Sequence, residues 1–524
     1  MSDSHSQKTF LGHPRGLATL FFTEMFERFS YYGMRALLFL YITASITCED
    51  PEQLCQGLGI DKKVGGAIYG LYVMGVYVFA LLGGWIADRL LGLKKSVWYG
   101  GLIIALGHFT MAIPGLVGLV NGEVVKTGIT DLDTLPFFLG LIFIAIGTGL
   151  LKPNVSSMVG SLYPASESAR RDAGFSIFYG GINLGAFLSP LITSPLGEQV
   201  NWHLGFGAAG LFMVLGLIQY KMTDHFLDGI GDVPVYKTPE ELKKKKNSQN
   251  ILYGMIAFAV IIIGLTFSGV VPVDAVAIAD ASGIVILLIS FGFLGYVIFF
   301  GGVTPQERNK TIVIVIVFIF SAVFWSGFEQ AGSTLNLFAS DFTDREVFGK
   351  TFAAGILQSV NPLFIILFAP FFGAMWIWLA KRNLEPSSPI KFAAGLILLG
   401  VGFLVMYFAS LVAASGQLAA PTWLIFTYMF HTFGELSLSP VGLSLTTKLA
   451  PKKYYGQMMG IWFMSVSFGN LIAGRIGGEI TGEGQEALDK MPDQYMLIVY
   501  ITVGAGLILL LSGKYIKKLM GDVH

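Results

Sequence analysis

Cysteine is scarce. There are two in 524 residues, Cys48 and Cys55, both in the connection after the first apolar segment. They build no metal-ligand cluster with the seven scattered histidines, so no metal or other cofactor is expected. The pair bridges if its loop faces an oxidising compartment and otherwise stays as two thiols; both readings stay open. Charge is scarce too: 13% of the residues, where a soluble domain has about 25%. Lys+Arg and Asp+Glu are equal at 34 each, which leaves no basic excess for nucleic acid. The first sixteen residues lack the apolar core of a cleavable signal peptide, so the first helix is expected to act as the insertion signal. No Walker loop, Ser-His-Asp arrangement or metalloprotease motif occurs, which argues against an enzyme.

What is abundant is apolar surface and glycine. Apolar residues make up 54% of the chain, and 65 residues are glycine, about 12% where about 7% is usual. Small residues let helices approach closely in a bilayer, so the composition predicts an all-α integral membrane protein. Segments of about twenty apolar residues span a bilayer. Fourteen are found, near 17–46, 64–87, 97–118, 134–162, 172–197, 204–222 and 250–272, then 281–302, 311–338, 351–380, 390–413, 420–447, 456–478 and 495–513. Pro153, Pro362 and Pro440 mark expected kinks or helix ends within them.

Loop charge alternates. Arg170-Arg171, Lys243 to Lys246, Lys381-Arg382 and Lys514-Lys517-Lys518 fall on one side, and Glu49-Asp50, Asp274-Asp280 and Asp341-Asp344 on the other. The positive-inside bias places both termini in the cytosol of a multi-pass plasma (inner) membrane protein. The expected divisions are a segment 1–16, a six-helix bundle 17–222, a basic linker 223–249, an inserted helix pair 250–302, a second six-helix bundle 303–513 and a tail 514–524. Two six-helix halves facing a midplane site is the plan of rocker-type transporters.

Residues 24–35 are the costliest stretch. Glu24, Glu27, Arg28 and Arg35 lie inside the first apolar segment, where each charge costs about 2.5–3.5 kcal/mol at mid-bilayer. With Tyr31 they follow helical spacing, so one face carries them all and must look into protein or water. Other deep polar residues are Lys152, Asn183, Trp325, Glu329, Asn361, Glu435 and Trp462. Basic groups for binding lie in the first half and isolated acids in the second. A zwitterion fits this polarity, with its carboxylate on Arg35 and Lys152 and its amine on Glu435. Asn183 and Asn361 can bond an amide without a charge penalty. Burial and a neighbouring cation push a carboxyl's proton affinity in opposite directions, so an acid held between them can exchange protons near neutral pH. Glu24 and Glu27 beside Arg28 and Lys152, and Glu329, are the candidates.

Gly83 to Lys95 is read as a helix-connecting loop in which Asp88 and Arg89 either cap helix ends and lock a gate or serve only as ordinary caps and positive-inside charge. Tyr31, Tyr32 and Tyr77 shape pockets or simply pack. His108 is read as a hydrogen-bonded structural group.

Several motifs together resemble the proton-dependent oligopeptide transporter (peptide transporter) family of the major facilitator superfamily. They are Glu24-x-x-Glu27-Arg28-Phe29-x-Tyr31-Tyr32, Gly84 to Lys95, and Phe175 to Gly185 with Gly180 where a larger residue is usual. The stretches around Lys152, Trp325-Glu329, Asn361-Pro362 and Glu435 to Pro451 fit as well. The resemblance covers both halves and implies a major facilitator fold of two six-helix bundles plus two inserted helices, fourteen transmembrane helices of the prokaryotic type. It also implies proton-coupled import of di- and tripeptides by alternating access, with no oligomer required. By resemblance Tyr32, Arg35, Tyr77, Lys152, Asn183, Trp325, Asn361, Glu435, Ser439 and Trp462 contact peptide. Glu24, Glu27, Arg28, Lys152 and Glu329 serve coupling, and Arg35, Lys152, Glu329, Glu435, Asp88 and Arg89 serve gating. The second span lacks a histidine that some relatives carry, so coupling through that histidine is not expected. The alternatives are a family member carrying another anion or metabolite, and a non-transporting receptor.

Overall fold

Among the described residues, fourteen of the fifteen α-helices are 22 residues or longer. The computed structural model describes residues 9–46, 56–121, 134–164, 166–479 and 485–521. Cys48 and Cys55 lie outside the described residues, and so do the two readings of their pairing. The first helices are α1 (Gly16–Thr43), α2 (Lys62–Ile86), α3 (Gly92–Asn121), α4 (Leu135–Ser161), α5 (Ser168–Gln199) and α6 (Trp202–Thr223). Then follow α7 (Pro239–Phe267), α8 (Ala275–Phe300), α9 (Pro305–Phe328) and the eight-residue α10 (Thr334–Asp341). The last five are α11 (Val360–Lys381), α12 (Ser388–Ala414), α13 (Thr422–Leu449), α14 (Tyr455–Glu479) and α15 (Gln485–Met520).

By length and composition ten stretches of the described residues can cross a membrane, and one of them runs through both α2 and α3. The long helices outside these stretches are α1, α13 and α14. All three carry buried ionisable or amide groups, Glu24, Glu27, Arg28 and Arg35 on α1, His431 on α13 and Asn470 on α14, and α13 also carries the half-buried Glu435. Such groups dilute the apolar signal where the helix faces protein.

The structure corrects four expected boundaries. The segment expected at 311–338 breaks after Phe328 into a tight 3-10 turn, Glu329–Gly332, before α10. The one expected at 351–380 opens with a 3-10 turn, Ala354–Ser359, and α11 begins only at Val360. The basic linker is partly helical, because Thr238-Pro239-Glu240-Glu241 starts α7 with a capping box. The Glu241 N–H donates to Thr238 Oγ1 at 3.2 Å, and the Thr238 N–H to Glu241 Oε2 at 3.0 Å. Proline at the first helical position loses no intrahelical bond. The same Thr-Pro-x-Glu pattern starts α9 at Thr304. Finally, the α2–α3 connection is no extended loop. It is one π-turn, Ala87–Leu91, ended by Gly92 at φ 74°. A two-residue hairpin, β1 (Glu346–Val347) with β2 (Lys350–Thr351), turns through Phe348 and Gly349, both at positive φ. Pro153 and Pro440 stay within helices, and Pro362 sits in the first turn of α11, where no hydrogen bond is lost.

Packing divides the chain into two compact units, 1–37 with 78–273, and 38–77 with 274–524. In the first, Leu20 of α1, Ile104 of α3, Val155 of α4, Phe178 of α5 and Met213 of α6 share one buried core. In the second, two Gly-x-x-x-Gly pairs cross, Gly66 and Gly70 of α2 against Gly474 and Gly478 of α14. A Cβ at Gly66 would strike the Gly474 carbonyl, and one at Gly478 would lie 2.9 Å from Lys63 Cα. Backbone-close packing of this kind helps offset the missing hydrophobic drive between helices in lipid. It explains why most of α2 belongs with α14. The helix α8 buries one face, from Ala275 through Ala279 and Gly283 to Val297, whereas α7 buries only Ser248.

Candidate functional site

The ion pairs of α1 lie buried in the first unit. Arg28 Nε lies 2.9 Å from Glu24 Oε1 and 2.6 Å from Glu27 Oε2, and all three residues are 3% exposed or less. One turn separates Glu24 from Arg28, so an unbroken helix brings that pair together, and the carboxylate of the adjacent Glu27 reaches the same guanidinium. The Arg28 guanidinium also stands 5.5 Å from the Tyr31 ring, and that of Arg35 5.3 Å from the Tyr32 ring, within cation–π range. Lys152, half-buried on α4, is close enough to Glu27 to act on it electrostatically.

Two helices hold this face in place. On α5, Gly185 packs against the α1 backbone, where a Cβ would lie 3.0 Å from the Phe29 nitrogen and 3.1 Å from Arg28 Cβ. One turn on, the Ser189 hydroxyl donates to the Phe29 carbonyl, and Thr193 Oγ1 to the Gly33 carbonyl at 3.2 Å. On α3, buried His108 is hydrogen-bonded through Nε2 to the Ser30 hydroxyl at 2.5 Å, the structural role expected of it. Gly149 of α4 packs on Phe79, and Asn154 Nδ2 donates to the Gly83 carbonyl at 3.3 Å; Lys152 lies between them along the helix. Asn183 is buried on α5 and donates to the Tyr179 carbonyl of its own helix at 2.9 Å. Gly180, the departure from the usual motif, faces open space. Gly185→Ala is therefore expected to destabilise the protein by about 1–3 kcal/mol through overpacking. Gly180→Ala should be neutral or stabilising by up to about 1 kcal/mol. Thermal unfolding of both variants in detergent compares them, and equal midpoints would defeat the α1–α5 account.

The gate candidates Asp88 and Arg89 are exposed on the π-turn. The linker straps this bend. Tyr236 donates its hydroxyl proton to the Arg89 carbonyl at 2.5 Å, and the Lys94 N–H donates to the Gly231 carbonyl at 2.9 Å. Lys94 Nζ reaches Asp228 at 3.4 Å. A Cβ at position 92 would lie 2.5 Å from the Asp232 carbonyl oxygen, so glycine serves there both for its φ and for the approach of the strap.

In the second unit Asn361, in the first turn of α11, donates from Nδ2 to Thr432 Oγ1 at 2.9 Å and to Glu435 Oε2 at 3.3 Å. Glu435 and Ser439 lie one turn apart on α13, both half-buried. Glu329 is 5% exposed and begins the 3-10 turn, so a change in that turn moves its carboxylate. Trp325 lies over Gly469 of α14, with its Cβ 2.7 Å from the site of a Cβ there. The buried Trp462 ring lies directly on Gly442 of α13. Tyr77 is half-buried on α2. The structure thus brings Glu24, Glu27 and Arg28 together, and Asn361 with Glu435. Thr432, the hydroxyl that shares the Asn361 amide, was not among the expected residues. Its spacing of three before Glu435 on one helix face was the available signal.

A family model described as the POT family matches residues 94–486. The chain belongs to this family. It is 38% identical to the peptide transporter YePEPT of Yersinia enterocolitica, over 99% of this chain and 97% of that protein. It is 37% identical to the di-/tripeptide transporter of Lactococcus lactis strain IL1403, over 99% of each. A solved structure of a peptide transporter POT mutant in complex with alafosfalin superposes with a TM-score of 0.83 at 38% identity, covering 98% of both chains. This POT-family chain is a multi-pass membrane protein of the major facilitator fold, and its relatives are transporters rather than enzymes.

Proposed function

We propose that the chain is a proton-coupled symporter importing di- and tripeptides across the cell's inner (plasma) membrane, with both termini in the cytoplasm. The observation that carries this reading is the buried carboxylate pair on one guanidinium at Glu24, Glu27 and Arg28, in a chain whose relatives in Yersinia and Lactococcus are peptide transporters. Glu24 Oε2 is buried with no hydrogen-bond partner among the described residues, which leaves a lone pair where a proton can reside. In this reading Arg35 and Lys152 take the peptide carboxylate, Glu435 takes the amine, and Asn183 and Asn361 face the amide. Tyr32, Tyr77, Trp325, Ser439 and Trp462 line side-chain space. Glu329 exchanges between a gate salt bridge and protonation, and Lys152 serves coupling together with Glu24, Glu27 and Arg28. Asp88 and Arg89, with Arg35, Lys152, Glu329 and Glu435, open and close the path. The segments 17–222 and 303–513 act as the moving halves, with 250–302 inserted between them in the chain.

The test is uptake of labelled dialanine into proteoliposomes with and without an imposed proton gradient. Accumulation that ignores the gradient sinks the symport reading. The amine assignment has its own test. Glu435→Gln retains an oxygen for the Asn361 amide and loses only the charge. Charge-assisted hydrogen bonds are worth about 1.5–3 kcal/mol, so free-amine dipeptides should bind roughly 10- to 100-fold more weakly. N-acetylated dipeptides should be little affected, and equal weakening of both refutes the assignment.

A further inference from the structure

The strongest charge patch outside the proposed transport path is the start of α7. Lys237, Lys243, Lys244 and Lys246 are exposed, and Lys245 is half-buried with its ammonium 5.5 Å over the Tyr236 ring. The neighbouring acids are largely committed elsewhere. Glu241 caps its own helix, accepting from the Lys237 and Thr238 N–H groups at 2.9 and 3.0 Å. Asp228 pairs with Lys94, and exposed Glu240 and Asp232 remain against five lysines. Lysines early in a helix gain nothing from its dipole, which favours cations at the opposite end.

Two features give this patch an occupant. First, the apolar run of α7 starts at Ile251. At about 1.5 Å per residue the lysines lie roughly 7–12 Å beyond it along the axis, which is headgroup depth. Second, none of the apolar window of α7 is buried against protein, so whatever surrounds the helix at that depth is lipid. Flexible ammonium stems beside a lipid-bathed helix are matched by a phosphate fixed at the bilayer surface.

We propose that Lys243, Lys244, Lys245 and Lys246 bind the headgroup of an anionic phospholipid, and that its capture clamps the strap 228–236 onto the α2–α3 bend. The clamp runs through residues already placed. Lys245 covers the Tyr236 ring, and the Tyr236 hydroxyl holds the Arg89 carbonyl at 2.5 Å. A bound phosphate relieves the repulsion among four consecutive lysines, so the first turns of α7 and the strap hold together more firmly. The proposal rests on the cytoplasmic placement of the linker, but its test uses no transport assay and so fails or stands separately.

The full-length protein in detergent is titrated with short-chain phosphatidylglycerol, and binding is read by native mass spectrometry. The triple variant Lys243→Gln, Lys244→Gln, Lys246→Gln should lose on the order of a hundredfold in affinity, and the corresponding arginine variant should retain it. Phosphatidylcholine of the same chain length should bind no more tightly to the wild type than to the glutamine variant. Equal phosphatidylglycerol binding by wild type and glutamine variant overturns the site. Displacement of the lipid by inorganic phosphate at equal concentration would make it a free-anion site and also overturns it. Amide hydrogen exchange at residues 228–236 should slow severalfold when phosphatidylglycerol is added, and unchanged exchange there overturns the clamp.

Discussion

Glu24→Gln should stop gradient-driven uptake while leaving peptide exchange between equal solutions intact. Glutamine keeps the size of the side chain and an oxygen for Arg28 Nε, which now lies 2.9 Å from Glu24 Oε1. What it removes is the ability to take up and release a proton. Uptake against a peptide gradient should fall by at least about tenfold, the equivalent of about 1.4 kcal/mol. Counterflow, which needs only the loaded carrier to reorient, should stay close to wild type. The two assays on the same proteoliposome preparation decide the matter. Equal loss in both would make Glu24 a structural residue and remove it from coupling.

The second large effect is on stability. Arg28→Met removes the cation shared by two carboxylates that are 2% and 0% exposed. Breaking a buried ion pair from one side leaves uncompensated charge and costs about 3–5 kcal/mol. The variant should therefore melt well below wild type in detergent at neutral pH. The stronger comparison is the triple variant Glu24→Gln, Glu27→Gln, Arg28→Met, which has no buried charge left at this place. Replacing a whole buried ion group by neutral side chains is often nearly neutral for folding, so the triple variant should recover most of the lost stability with coupling abolished. A single variant as stable as wild type, or a triple variant worse than the single one, would contradict this electrostatic account.

The fold was legible because each apolar segment is long enough to cross a bilayer and the costs of exposed backbone there leave only helix. The helical spacing of Glu24 and Arg28 puts them on one face, and their ion pair follows from it; the contact of Arg28 with its sequence neighbour Glu27 does not follow from spacing. His108 could be read as structural, but its partner Ser30 could not be named, because that contact joins helices 78 residues apart in sequence.

Where periodicity and contact disagreed, contact decided. The stretch 311–338 reads as one apolar run, yet it breaks at Glu329. Hydropathy sees side chains and does not register where a backbone turns from α-helix to 3-10. The basic residues 243–246 read as a loop because charge resembles a connection, although Thr238 and Glu241 already spelled a helix start. The membership of α2 depended on which glycines face which backbone, a property of two helices at once.

By itself, then, the sequence determined that this is a helical membrane protein with an ionised first helix, since hydrocarbon length and the cost of buried charge are local to each segment. Only the tertiary structure decided that Gly185 shapes the bed of Arg28, that Thr432 shares Asn361 with Glu435, and that the linker straps the bend at Gly92. Each of these joins residues from different helices, and no single segment's pattern contains its neighbour's surface.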